Sequence, residues 1–255
     1  MYALRADGLA ASLTGYPRLV STDSRSERRR WDEALVAVLV ALAVANVMSN
    51  RVLPGWAYVP WNASIAVVLV LIARTSVSIE DMGFTRWRRG AAWGTVLAVL
   101  TIGVLLLGLL MPAFHDMYRD RRVSTGLGTL LYQTVVRIPL GTALLEEVAF
   151  RAVLPALFVA RWSVVRGYAA ASVCFGLWHV LPALGLNEVN PVATRIFGSG
   201  AAVVTVAVVF AVTSTAVAGA WWCWIRHRSG SMLATAMAHV ASNSGAYTIA
   251  WLVSR

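Results

Sequence analysis

Two adjacent carboxylates lie where carboxylates are costly, inside the apolar stretch Leu144-Leu145-Glu146-Glu147-Val148-Ala149-Phe150-Arg151. On insertion scales a charged side chain at mid-bilayer costs about 2.5–3.5 kcal/mol, so an ionisable cluster in such a stretch points to function. Read as a helix, Glu147 and Arg151 are four apart with the acid first, the favoured order for an ion pair. Arginine can grip a carboxylate through two parallel hydrogen bonds, so this pair is expected to satisfy itself. Glu146 lies about 100° round the helix and is not served by that contact. It is the carboxylate left over for general-base work. A purely structural Glu–Arg staple accounts for Glu147 and Arg151 but not for Glu146.

Two histidines occupy other apolar runs, in Phe175-Gly176-Leu177-Trp178-His179 and in His239-Val240-Ala241-Ser242-Asn243. His239 and Asn243 share one helical face, as do Phe175 and His179. A lone intramembrane histidine is more often a packing or hydrogen-bonding residue than a catalyst; two of them beside a double glutamate alter that balance. At about 1.5 Å per residue, Glu146, His179 and His239 lie roughly 21, 18 and 12 Å from the ends of their runs nearest the arginine-rich loops, so one layer can hold all three.

The elements that position these groups are membrane helices. The chain has 255 residues, 58% hydrophobic and 13% charged, with mean hydropathy +0.67. A soluble domain is typically about 45–50% apolar and about 25% charged. This composition excludes disorder, and two cysteines, Cys174 and Cys223, exclude a disulfide scaffold. Apolar runs at about 34–49, 57–73, 91–111, 126–160, 167–186, 200–225 and 231–253 predict an all-α polytopic bundle of seven transmembrane helices, or eight if the long run 126–160 divides at Pro139 or Pro155. Residues 1–30 read as a polar cytoplasmic tail and 31–255 as one transmembrane bundle. The run at 34–49 reads as a retained anchor, because Asp32 and Glu33 stand where a signal peptide would be basic.

All 22 basic residues are arginines and the net charge is +10. They sit between apolar runs and not along one amphipathic face, which speaks against nucleic acid and for loops that touch anionic lipid headgroups. Arg25 to Arg30, Arg74, Arg86 to Arg89, Arg161, Arg166, Arg226 and Arg228 alternate with the runs so as to share one side, the cytoplasm by the positive-inside tendency. Arg119, Arg121 and Arg122 fall on the other side. The protein is expected in the cell membrane, multi-pass, with its N-terminus cytoplasmic. Gly94, Gly103, Gly108, Ala216 and Ala220 read as helix-packing positions. Trp221, Trp222 and Trp224 read as an interfacial belt, and Ser78 as a helix cap in the segment before Arg86.

The ordered trio EExxxR, FxxxH and HxxxN, here Glu146–Arg151, Phe175–His179 and His239–Asn243, resembles the CPBP (CAAX protease and bacteriocin-processing) intramembrane endopeptidases, the group of the Ras-converting CAAX endopeptidase. The resemblance covers about 78–247, including Glu80-Asp81-Met82-Gly83; Ala152 departs from the glycine that commonly follows the motif arginine. It implies a glutamate-dependent peptidase acting on a membrane-embedded or lipidated protein or peptide. By motif, Glu146 with His179 activates water, His239 and Asn243 serve the oxyanion, and Glu147, Arg151 and Phe175 support the site. No cofactor is required by these roles. The alternative is zinc on Glu146, His179 and His239, which offer one oxygen and two nitrogens. Two other functions compete: a non-catalytic scaffold or immunity-type protein on the same fold, and a proton-coupled carrier.

Overall fold

In the computed structural model of the chain, the described residues are 25–111, 118, 123, 126–184 and 201–254. The expectations placed on residues 1–24, on His115 and on Arg119, Arg121 and Arg122 lie outside them. The elements among the described residues are helical. Helix α1 is Arg25–Val47, prolonged by a π turn to Val52; α2 is Tyr58–Ala73 and α3 is Trp87–Leu110. A continuous helical run over 127–161 forms α4. Helix α5 is Val164–Trp178 with one further turn Val180–Ala183; α6 is Ala201–Ser229 and α7 is Met232–Val253.

Among the described residues, five helices are long and apolar enough to cross a membrane: Arg25–Val52, Gly55–Ala73, Trp87–Leu110, Val164–Ala183 and Val204–Ser229. Trp87–Leu110 combines a mean hydropathy of 2.3 with little burial against the other helices, as lipid-facing helices do. The protein is thus a helical membrane protein. Helix α7 falls outside the five because it carries His239, Ser242, Asn243 and Ser244, the polar groups that make it interesting.

Neither proline divides the long run. Pro139 lies inside a π-helical stretch, Tyr132–Ala143, and Pro155 in the first turn of the segment Leu154–Arg161. A proline ring lacks an N–H and crowds the preceding α turn, and Pro155 follows directly on the second π stretch, Val148–Val153. The wider π winding lets α4 pass Pro139 unbroken.

The helices alternate in direction, so one end of the bundle gathers the arginines. There Trp31 Nε1 donates to Leu157 O, Arg161 approaches Asp32, and Arg89 donates to Arg228 O. Helix α1 begins at Arg25, so Arg28–Arg30 stand on its first turns. Gly94 allows α3 to meet α7, since a Cβ there would lie 2.6 Å from Met237 Sδ. Gly103 has nothing within 4 Å and is not a packing contact. Ser78 closes a turn and caps no helix: its Oγ donates to Asp81 Oδ2 at 2.7 Å and accepts from Asp81 N at 3.0 Å.

Candidate active site

Helix α4 presents its two acids from a short α turn, Leu144–Glu147, set between two π-helical stretches. Wide turns of this kind displace side chains from α-helical register and are frequent at functional sites. Two buried contacts hold the approach to this turn. Asn62 Nδ2 donates to Gly141 O at 2.8 Å while its Oδ1 accepts from Ser49 Oγ at 2.6 Å. Tyr58 Oη and Thr142 Oγ1 lie 3.2 Å apart, and the Arg137 guanidinium covers the Tyr58 ring at 4.3 Å.

Helix α5 stops at Trp178. His179 takes φ −85°, ψ 0°, after which one more helical turn follows. Asn46 Nδ2, from α1, donates to Trp178 O at 3.0 Å at this break, satisfying a carbonyl at the helix end. His179 Nδ1 lies 2.8 Å from Phe175 O. A carbonyl can only accept, so Nδ1 carries the proton and Nε2 remains as the ring's acceptor. The imidazole stands edge-to-face on Phe175, centroids 4.6 Å apart at 81°, the packing its spacing predicts.

The expected Glu147–Arg151 clamp is replaced by a different arrangement. Glu147 Oε1 accepts from His239 Nδ1 at 2.9 Å, and Arg151 Nε stands 3.7 Å away without a hydrogen bond. Arg151 is 1% exposed, none of its guanidinium nitrogens has a hydrogen-bond partner among the described residues, and its Cζ lies 4.1 Å over the Phe175 ring. The reason is competition. His239 reaches in from α7 and takes the oxygen that Arg151 would share, while the aromatic face offers the cation a quadrupole instead.

Glu146 is not left unpartnered either. Its Oε1 accepts from the indole Nε1–H of Trp178 at 3.2 Å, and its Oε2 lies 3.7 Å from His239 Nε2. Asn243 Nδ2 is 3.1 Å from that same Nε2. Nδ1–H is given to Glu147, and Nε2 faces both Glu146 and Asn243.

Glu146, His179, His239 and Asn243 line one cavity of about 550 Å³. The three motifs therefore meet in a single polar chamber. Its wall also contains Trp178, Tyr58 and Thr142, which the sequence did not assign to the site, and Trp222. Trp222 was read as part of an interfacial belt; its neighbours Trp221 and Trp224 do stack on one another, 4.9 Å apart, but Trp222 faces the chamber. The signal for Trp178 was present, since a buried indole N–H usually finds a partner. Cys174 does not line the chamber, and Cys223 Sγ–H points to Phe150 O at 3.6 Å.

Among the described residues no group of three or more His, Cys, Asp or Glu is placed to hold a metal ion. Glu146, His179 and His239 share the chamber without closing on one point, and His239 is turned by Glu147.

Glu146, His179, His239 and Asn243 around one chamber form the candidate site of this helical membrane protein. Residues 128–245 match the model of the Rce1-like type II CAAX prenyl endopeptidase family, a similarity consistent with the CPBP endopeptidases. The family is one of peptidases, so the enzyme class is hydrolase. Neither the curated proteins nor the solved structures contain a match to the chain.

Proposed function

We propose that the protein is an intramembrane endopeptidase in which Glu146 draws a proton from a water molecule held in the chamber. His179 assists as acceptor through Nε2. The peptide carbonyl oxygen is met by the Asn243 amide and by His239, and Glu147 fixes the His239 ring through Nδ1. Arg151 and Phe175 hold Glu147 and His179 in place. The substrate is a membrane-embedded or lipidated polypeptide, and anionic headgroups meet the arginine-rich end.

The observation that carries this reading is the single chamber lined by Glu146, His179, His239 and Asn243. Donors aimed at a developing oxyanion are worth about 2.7–4 kcal/mol each, so the amide placed 3.1 Å from His239 is well suited to the task. A carrier needs a path between both faces, and a scaffold has no use for an aligned acid, acceptor and amide.

The test compares purified protein with Glu146→Gln and Glu146→Ala on membrane peptides, scoring new peptide termini, with and without a strong zinc chelator. New termini that vanish in both variants and survive chelation are expected. Termini that persist in Glu146→Gln overturn the base assignment. Loss on chelation, restored by zinc, transfers the chemistry to a metal. Proton-linked flux lost in Glu146→Gln without any cleavage favours the carrier.

A further inference from the structure

Among the described residues, buried side chains close the chamber toward one end of the bundle, and its exposed lining lies toward the other. On the arginine-rich side of His239, residues Met232, Ala234, Thr235 and Ala238 of α7 are buried, as are Cys223, Ile225, Arg226 and Ser229 of α6. On the other side, every residue from His239 to Thr248 is only half-buried. The closure has a latch. Arg226 donates to Asp81 O, and Met232 N donates to Gly83 O at 3.0 Å. Gly83 has φ +78°, and a Cβ there would lie 2.9 Å from Arg226 Nε, so the turn seats against the guanidinium because it has no side chain. The exposed residues of the chamber wall are Asn50, at the end of α1, and Pro182, at the end of α5. Both belong to the end away from Arg28–Arg30, Arg74, Arg86–Arg89, Arg161, Arg166, Arg226 and Arg228.

Arginine-rich loops stay in the cytoplasm. Toward the opposite end the described basic residues are Arg51 and Arg137, and the sequence assigns Arg119, Arg121 and Arg122 to that side as well, still fewer than the arginines of the first end. We infer that the chamber opens to the extracytoplasmic side, and that its substrate is a polypeptide segment presented at the outer surface of the membrane, not a cytoplasmic tail. This deepens the peptidase reading and rests on it for the identity of the substrate; the direction of the opening stands on packing and charge alone.

Single cysteines read the direction. Asn50→Cys marks the mouth, Ser242→Cys the wall within, and Thr75→Cys the arginine-rich end, with the parent chain (Cys174 and Cys223 retained) as blank. A small membrane-impermeant thiol reagent is applied to sealed vesicles of either orientation. Asn50→Cys and Ser242→Cys are expected to react in right-side-out vesicles and Thr75→Cys in inverted ones. Reaction of Asn50→Cys or Ser242→Cys from the Thr75 side, or no reaction of Ser242→Cys from either, overturns the inference. In parallel, new termini among the vesicles' own membrane proteins are mapped for parent and Glu146→Gln, and are expected in outward-facing segments. Glu146-dependent termini confined to inward-facing segments, or reversed labelling beside Glu146-dependent cleavage, overturn this inference and leave the peptidase standing. The expected labelling with no Glu146-dependent cleavage overturns the substrate assignment together with the peptidase reading.

Discussion

The indole of Trp178 donates to Glu146 Oε1 at 3.2 Å, so the acid carried by α4 takes its orientation from the last residue of α5. Trp178 is itself held by edge-on contact with Phe150, centroids 5.7 Å apart, and by Asn46 at its carbonyl. Trp178→Phe keeps the ring packing and deletes the donor. Hydrogen bonds to charged groups contribute about 1.5–3 kcal/mol, so kcat is expected to fall about 10- to 100-fold with KM and thermal midpoint little changed. Steady-state kinetics on a cleavable peptide, paired with a melting curve, separates this from a packing defect, which would lower the midpoint first.

Asn243 offers its amide where the carbonyl oxygen of a substrate would develop charge. Asn243→Ala is expected to lower kcat about 10²–10³-fold while leaving KM close to that of the parent, the pattern of a contact strengthened in the transition state. An unchanged kcat with raised KM would reassign Asn243 to ground-state binding.

Arg151 is a buried cation with an aromatic face beneath it and Glu147 at 3.7 Å. Removing one member of a buried charged pair costs about 3–5 kcal/mol, because the other is left without compensation. Arg151→Leu is therefore expected to lose that much unfolding free energy in detergent. A loss below about 1 kcal/mol would be the surface-pair value and would mean that Glu147 relies on His239 alone.

Gly176 lies three residues before His179, and a Cβ there would stand 2.6 Å from Val212 O of α6. Gly176→Ala must push α5 away from α6. Overpacking costs typically about 1–3 kcal/mol, and it should also displace His179, so both the melting midpoint and kcat are expected to drop. A variant that melts lower at full kcat would show that the break at Trp178 isolates His179 from such shifts.

The helices and the three motifs were legible because apolar runs and four-residue spacings are local. Phe175 under His179 followed directly from that spacing. The pairing of Glu147 was not legible, because His239 arrives from 92 residues away and outcompetes the neighbour on the same helix. Asn46 and Tyr58 were missed for a related reason: a polar residue near the end of an apolar run looks like the start of a loop until α1 and α2 are packed beside α4. Pro139 misled in the opposite direction, since sequence rules foresee a kink and the chain instead absorbs the ring in a π stretch. The membrane-protein class was fixed by composition, while the five qualifying spans depend on where polar residues interrupt α4 and α7.

The guanidinium of Arg151, buried and without a hydrogen-bond partner among the described residues, has a thermodynamic side. Apolar residues of matched volume often replace buried charged groups at no loss, or with a gain of about 1–4 kcal/mol, when all partners change together. The fold therefore tolerates an internal tension that a merely architectural bundle would have relaxed, and keeps Glu147 and His239 aligned in doing so.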